Sequence, residues 1–134
     1  MTALRPVNPP GWARPKGYSN GIVGRGTLVF VAGQVGWNSQ EQFESDDFIA
    51  QLRQALHNTV AVLAAAGTRP EHVARMTWYV LDKKEYVARL AEVGAAYRDI
   101  MGRSFPAMTL VEVSALVADR AKIEIESTAV IPDA

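Results

Sequence analysis

Residues 103–113 constrain the fold of this chain more than any other part of the sequence. The residue before Pro106 is displaced from helical backbone geometry, so whatever helix precedes it must end there. The residues after Pro106 alternate as an extended strand does, and Thr, Val and Leu suit a pleated surface. Met108, Leu110 and Glu112 fall on one side of this predicted strand. The unusual feature is Glu112, a charge among apolar neighbours.

A second alternating strand is predicted over residues 122–130, and it carries Glu124 and Glu126 on one side. Two consecutive strands with acids on one side usually indicate a sheet with one solvated face. The alternative is that both acids lie beside Glu112. Like charges would then raise the pKa of at least one carboxyl toward the range useful for proton transfer.

Composition restricts the class of protein. The chain has 134 residues, of which 49% are apolar, which suits one domain with a substantial core. Fourteen Lys and Arg balance fourteen Asp and Glu, so the basic excess that drives nucleic-acid binding is missing. The chain contains no cysteine, which excludes disulfides, thiolate metal sites and a cysteine nucleophile.

The sequence also predicts where the protein resides. No apolar run approaches the roughly 20 residues that a membrane helix needs, so no membrane partner is expected. Pro6, Pro9 and Pro10 interrupt any apolar signal segment, which makes the cytoplasm the expected location. We predict an irregular, proline-rich arm over residues 1–17 and a single domain over residues 18–132.

Hydrophobic periodicity predicts the remaining elements. Strands are expected at residues 18–23, 27–35 and 71–81, and helices at about residues 45–67 and 83–101. The order β-β-α-β-α-β-β gives an α+β fold of two layers, with a mixed sheet and both helices on one face. The other face would be uncovered and partly apolar, which favours assembly with further copies of the chain.

Local signals refine these elements. Ser45 is the predicted N-cap of the first helix, with Asp46 and Asp47 in its first turn. Gly33 lies within the strand at residues 27–35 and predicts either a bulge or a close approach by other atoms. Gly94, inside the second helix, is expected to allow close packing on the sheet.

The usual catalytic and metal-binding motifs are missing. His57 and His72 are the only histidines, and neither has a second ligand at metal spacing, so we expect no metal and no cofactor. No serine lies in a recognisable triad arrangement.

Several short segments of the sequence resemble those of the reactive-intermediate deaminase family, called RidA or YjgF and also L-PSP endoribonuclease. They are Phe-Pro-Ala at residues 105–107, Val-Glu-Val at 111–113, Ile-Glu-Ile-Glu at 123–126, Phe-Val-Ala-Gly-Gln-Val at 30–35 and Ala-Ala-Ala-Gly at 64–67. With Tyr18, the likeness covers residues 18–130. It implies a chorismate-mutase-like fold and ring-shaped homotrimers, with small-molecule sites in clefts between subunits.

The resemblance also implies roles for particular residues. Glu124 matches the glutamate that positions and activates water, and Tyr18 matches a tyrosine lining the cleft. Ala32 and Gly33 match the segment that binds substrate through main-chain groups. The implied reaction is hydrolysis of a 2-imino acid, or its enamine tautomer, to a 2-keto acid and ammonia.

Two positions depart from the family pattern. Met108 stands where the best-known members carry an arginine, whose fork binds a substrate carboxylate. Leu110 stands where they often have a small or sulfur-bearing residue. The pocket should therefore be more apolar and suit another ligand, unless Arg75 or Arg103 of a neighbouring subunit replaces the missing arginine.

Two hypotheses follow. One is an enzyme with hydrolytic deaminase-like chemistry on a substrate other than a simple 2-imino acid, which Glu124 and Tyr18 favour. The other is a non-catalytic small-molecule-binding protein of the same fold, which the loss of the arginine at position 108 favours. A ribonuclease, the third option, has only the family label in its favour, and the zero net charge speaks against it.

Overall fold

The computed structural model describes residues 4–133 of the chain. In chain order its strands and helices are β1 (Leu4–Val7), β2 (Gly21–Gly24), β3 (Gly26–Val35), α1 (Phe48–Ala65), β4 (Val73–Val80), α2 (Lys83–Ala88), α3 (Leu90–Met101), β5 (Ala107–Glu112) and β6 (Ile123–Pro132). A short 3-10 turn, Pro70–His72, leads into β4. None of the helices in this described part is long and apolar enough to cross a membrane.

Four strands form one mixed sheet in the order β3-β6-β4-β5. Strand β6 pairs antiparallel with both β3 and β4, whereas β4 and β5 run parallel. A parallel pair needs a long crossover, and α2 and α3 supply it between β4 and β5. Because Met108 pairs with Met76 and Leu110 with Trp78, these four side chains share one face of the sheet.

That face is packed against α1 and α3. From α1, Leu52, Leu56 and Leu63 are fully buried, as the helical spacing predicted. They meet a sheet surface built from every second residue of β4 and β6. Its members are Met76, Trp78, Val80, Ile123 and Ile125. The predicted two-layer α+β fold, with a mixed sheet and helices on one face, is confirmed.

The opposite face of the sheet, which we call the open face, carries exposed apolar side chains. Phe30 is 74% exposed and Leu28 is 55% exposed on the edge strand β3, and Val111 is exposed on β5. Within residues 4–133 no helix covers this face.

Three details differ from the sequence analysis. The segment expected to be an irregular arm contains β1, which pairs antiparallel with β2. The N-cap of α1 is Asp47, whose carboxylate accepts from Ala50 N at 3.0 Å. Ser45 instead accepts from Asp47 N, and Asp46 and Asp47 both precede the first turn.

The second predicted helix is divided at Arg89 into α2 and α3. The Arg89 guanidinium donates to Glu92 and, at 2.8 Å, to Asp47 at the start of α1. The hydrogen bond from Arg89 holds the pKa of Asp47 below its usual range. An ion pair across two helices therefore accompanies the break, and periodicity along one helix carries no signal for it.

A single amide connects α1 to the start of the strand that carries Glu124. Gln51 is 1% exposed. Its Nε2 donates to Ser45 O and Arg120 O, both at 3.0 Å, and its Oε1 accepts from Lys122 N at 2.8 Å. All three bonds hold irregular backbone that no sheet or helix satisfies.

Replacing Gln51 should therefore be costly. In Gln51→Leu, three backbone groups lose their partners, and we expect the free energy of unfolding to fall by about 2 kcal/mol or more. Gln54→Leu is the matched control, because Gln54 is half-buried and donates only to Asn58. Denaturant unfolding of both variants measures the difference, and an equal effect would show that the Gln51 network is unimportant.

Candidate functional site

The predicted catalytic carboxylate and the predicted main-chain segment lie together. Strand β3 has a bulge in which Ala32 and Gly33 lie opposite the single residue Glu126, because Val31 pairs with Ser127 and Gln34 with Ile125. The Gln34 side chain donates to Ala32 O at 3.1 Å. The bulge interrupts the ladder two residues before the end of β3, next to Glu124 on β6.

Gly33 is required by the position of Glu124. A Cβ atom added at Gly33 would overlap the Glu124 carboxylate, since it would lie 2.8 Å from Cδ and closer still to Oε2. The bulge and the close approach that the sequence predicted at Gly33 are both present. The half-buried carboxylate therefore rests on bare backbone beside main-chain groups, an arrangement that suits a proton acceptor next to a bound substrate.

Glu126 has a different environment on the open face. Tyr79 donates its hydroxyl to Glu126 Oε1 at 2.6 Å, and this bond raises the pKa of Tyr79. Glu126 also lines a shallow hollow of about 220 Å³ with Arg75, Thr77 and Phe30. Arg75, one of the two arginines considered as a replacement, is thus on the open face of its own chain.

The cluster of three carboxylates, which the sequence analysis gave as the alternative to a solvated face, does not form. Strand β4 separates β5 from β6, so Glu112 is not a neighbour of Glu124 or Glu126. Glu112 instead accepts from Lys83 N at 2.9 Å, at the N-terminus of α2. This bond to the first N–H of α2, whose N-cap is Asp82, accounts for a charge among apolar residues.

Met108 lies on the other side of the sheet, in a half-open hollow of about 240 Å³ between β5 and α3. We call this the Met108 hollow. Apart from Met108, its lining consists of Lys16, Gly17, Trp78, Tyr86, Leu90, Val93, Gly94, Tyr97, Arg98 and Phe105. Leu110 packs against the core on the same face but is not among the lining residues.

The aromatic walls of the Met108 hollow are neutral. Tyr97 stacks on Phe105 with ring centroids 5.8 Å apart and donates its hydroxyl to Ser104 O at 2.8 Å. Burial raises the pKa of both Tyr97 and Tyr86, so neither ionises near neutral pH. The only charged residues in the lining are therefore the cations Lys16 and Arg98.

Sequence reasoning missed Arg98 and misread Gly94. A Cβ added at Gly94 would lie 3.0 Å from Arg98 Nη1, and its three nearest atoms all belong to Arg98. Gly94 therefore accommodates a guanidinium folded back along α3, and not the sheet as expected. The i, i+4 spacing of the two residues on a helix was the available signal.

Tyr18 is held near the start of β5. The next residue, Ser19, donates from its backbone N to Pro106 O at 2.9 Å and from its hydroxyl to Phe105 O at 2.7 Å. Tyr18 itself is 40% exposed and does not line the Met108 hollow. Sequence reasoning missed Ser19, whose role depends on a contact between segments far apart in the chain.

The predicted site residues thus form two groups within one chain. Glu124, Ala32 and Gly33 lie at the β3–β6 end of the sheet, and the Glu124 position belongs to its open face. Met108 lies on the opposite edge strand and faces the helices. Because the sheet itself separates the two groups, one chain does not bring them into a common pocket.

The two histidines and Arg103 lie outside both groups of site residues. His72 Nδ1 lies 2.8 Å from Thr68 Oγ1, and His57 is exposed on α1. Arg103, the other arginine considered as a replacement, is exposed and outside the lining of the Met108 hollow. Across the described residues, no group of three His, Asp or Glu side chains is placed to hold a metal ion.

Known relatives are similar in sequence to most of this chain. A family model described as Endoribonuclease L-PSP matches residues 12–131. A 2-iminobutanoate/2-iminopropanoate deaminase from Salmonella typhimurium is 34% identical over 108 residues, which cover 78% of this chain and 80% of the relative. A RutC family protein from Pasteurella multocida is 33% identical over 105 residues, covering 78% and 81%.

Solved structures of similar fold come from the same group of proteins. YyfB from Yersinia pestis, a Rid family protein of unknown function, matches with a TM-score of 0.87 and 31% identity, over 97% of this chain and all of that one. TdcF from E. coli, solved with bound serine, matches with a TM-score of 0.69 and 32% identity, covering 91% and 92%. The chain therefore belongs to the Endoribonuclease L-PSP family, which includes the RidA, YjgF and RutC proteins.

Proposed function

We propose that this protein is a homotrimer with a small-molecule cleft between subunits, and that it hydrolyses a C=N or enamine bond. Glu124 accepts a proton from water at the electrophilic carbon, and the Ala32–Gly33 backbone orients the substrate. Met108 of the adjacent subunit contributes to the opposite wall. The substrate is not a simple 2-imino acid, because position 108 has no guanidinium to bind its carboxylate.

One observation carries this proposal. The Glu124 carboxylate rests on Gly33 at a bulge, at the open face of the sheet, where Phe30, Leu28 and Val111 are exposed. A second copy placed on that face would bury Phe30 and Leu28 and close a cleft over Glu124. The deaminase name of relatives with about one-third identity supports the same chemistry.

The second candidate is a non-catalytic protein that binds a small molecule in the same cleft. Met108 favours it, because the charged partner that would orient a substrate is replaced by a thioether with no donor. Both candidates require the same assembly, and only turnover separates them.

The assembly is tested by light scattering. We expect a mass of three times 14.6 kDa at dilute concentration. Phe30→Lys should shift it toward the monomer, because it places a charge in the buried interface. Val117→Lys is the control, since Val117 is a fully exposed residue of the loop between β5 and β6. A wild-type protein that stays monomeric would refute both the interface and the shared cleft.

Catalysis is tested at Glu124. Glu124→Gln retains the shape and removes the proton acceptor, so turnover should fall by about 10² or more while trimerisation is kept. The measurement is ammonia release from a panel of 2-imino acids and enamines generated in situ. Glu126→Gln is the control, since Glu126 accepts from Tyr79 in another environment. Full activity in Glu124→Gln would show that the wrong carboxylate was assigned.

Specificity is tested at Met108. A desolvated arginine–carboxylate contact is worth about 2–5 kcal/mol when one partner is removed. The wild type should therefore hydrolyse 2-aminoacrylate poorly, and Met108→Arg should raise kcat/KM by roughly 30-fold or more. Met108→Gln, which adds polarity without charge, should not. Efficient wild-type turnover of 2-aminoacrylate would contradict the altered specificity.

A further inference from the structure

The Met108 hollow combines apolar walls with positive charge at its edge. Its lining has two cations, no acid, and aromatic side chains from β4, α2, α3 and the segment before β5. The tyrosines among them remain neutral because burial raises the pKa of each. An anionic ligand with an apolar body matches both properties of this lining.

The Arg98 guanidinium lies along α3 beside Gly94. Its Nη1 is placed against Gly94, where no side chain blocks it. Among residues 4–133, no carboxylate lies within ion-pair distance of Arg98. Its neighbours on α3 differ in this respect, since Asp99 pairs with Arg53 and Glu92 with Arg89.

The two long side chains that face each other across the Met108 hollow differ in charge. Met108 on β5 carries no charge and no donor, whereas Arg98 places a guanidinium on α3 at the edge of the same hollow. A guanidinium binds a carboxylate through two parallel hydrogen bonds, which the ammonium of Lys16 does not reproduce. The thioether of Met108 and the rings of Tyr97 and Phe105 are suited to contact an aromatic or branched group.

We propose that the Met108 hollow binds a carboxylate ligand with a bulky apolar body, and that Arg98 holds its carboxylate. This inference rests on the proposed function, because it makes the hollow one wall of the catalytic cleft. It specifies the substrate class as acids larger than 2-aminoacrylate. Arg98 thereby determines specificity from α3.

Calorimetric titration of the full-length protein tests the proposal without requiring turnover. The probes are 3-phenylpropanoate and its neutral amide. Wild type should bind the acid at least about tenfold more tightly than the amide, and Arg98→Met should weaken acid binding by about tenfold or more. Arg98→Lys should fall between them. Arg69→Met is the matched control and should bind as the wild type does, because Arg69 is exposed and lies outside the hollow.

The outcomes separate this inference from the proposed function. Equal binding of acid and amide, unchanged binding in Arg98→Met, or no binding of the acid by the wild type would each overturn the role of Arg98. None of these results bears on the ammonia-release test of Glu124. Conversely, acid binding that depends on Arg98 supports the inference even if Glu124→Gln keeps full activity and the proposed chemistry fails.

Discussion

The structure depends on a sheet whose two faces have different environments. Every second side chain of β4 and β6 enters a core closed by α1 and α3, and this burial is the main source of stability. Among the intervening side chains, Arg75 of β4 and Glu126 of β6 are exposed on the open face. Since side chains alternate strictly along a strand, the same register that builds the core also assigns each site residue to one face.

Glu124, the proton acceptor of the proposed function, shows how this constraint positions a site residue. Its neighbours Ile123 and Ile125 are fully buried in the core. Because side chains alternate along a strand, Glu124 must lie on the other face of the sheet. The β3 bulge then brings Gly33 beneath the carboxylate. Gln51 holds the backbone immediately before β6 through Lys122. Core packing and a buried amide together hold the carboxylate that we assign as the proton acceptor.

Much of the fold was predictable because its signals are local. Proline at position 106, alternation along β5 and β6, and the apolar stripe of α1 each specify an element without reference to distant residues. Other features depend on contacts between distant segments and left no local pattern. They include the pairing of β1 with β2, the Arg89–Asp47 ion pair at the helix break, and the anchoring of Ser19 to the start of β5.

In the candidate site, too, some contacts could be predicted from local sequence and others depend on distant segments. The contact between Glu124 and Gly33 follows from a glycine within a strand, which the sequence displays. The separation of Glu112 from Glu124 and Glu126 follows from the strand order, since β4 inserts between β5 and β6. The orientation of Arg98 toward the Met108 hollow depends on which face of α3 packs against the sheet. The sequence alone therefore indicated which residue types could form a site. Which of these residues lie together could be determined only from the order and pairing of the strands.

The central claim is that Glu124 and Met108 form one cleft only when they come from different subunits. Because the chain has no natural cysteine, a Glu124→Cys, Met108→Cys double variant treated with a short bismaleimide tests it directly. With a shared cleft, the double variant should give covalent dimers and trimers on a denaturing gel, and neither single variant should. Cross-linking confined to single chains, or none at all, would contradict a cleft shared between subunits.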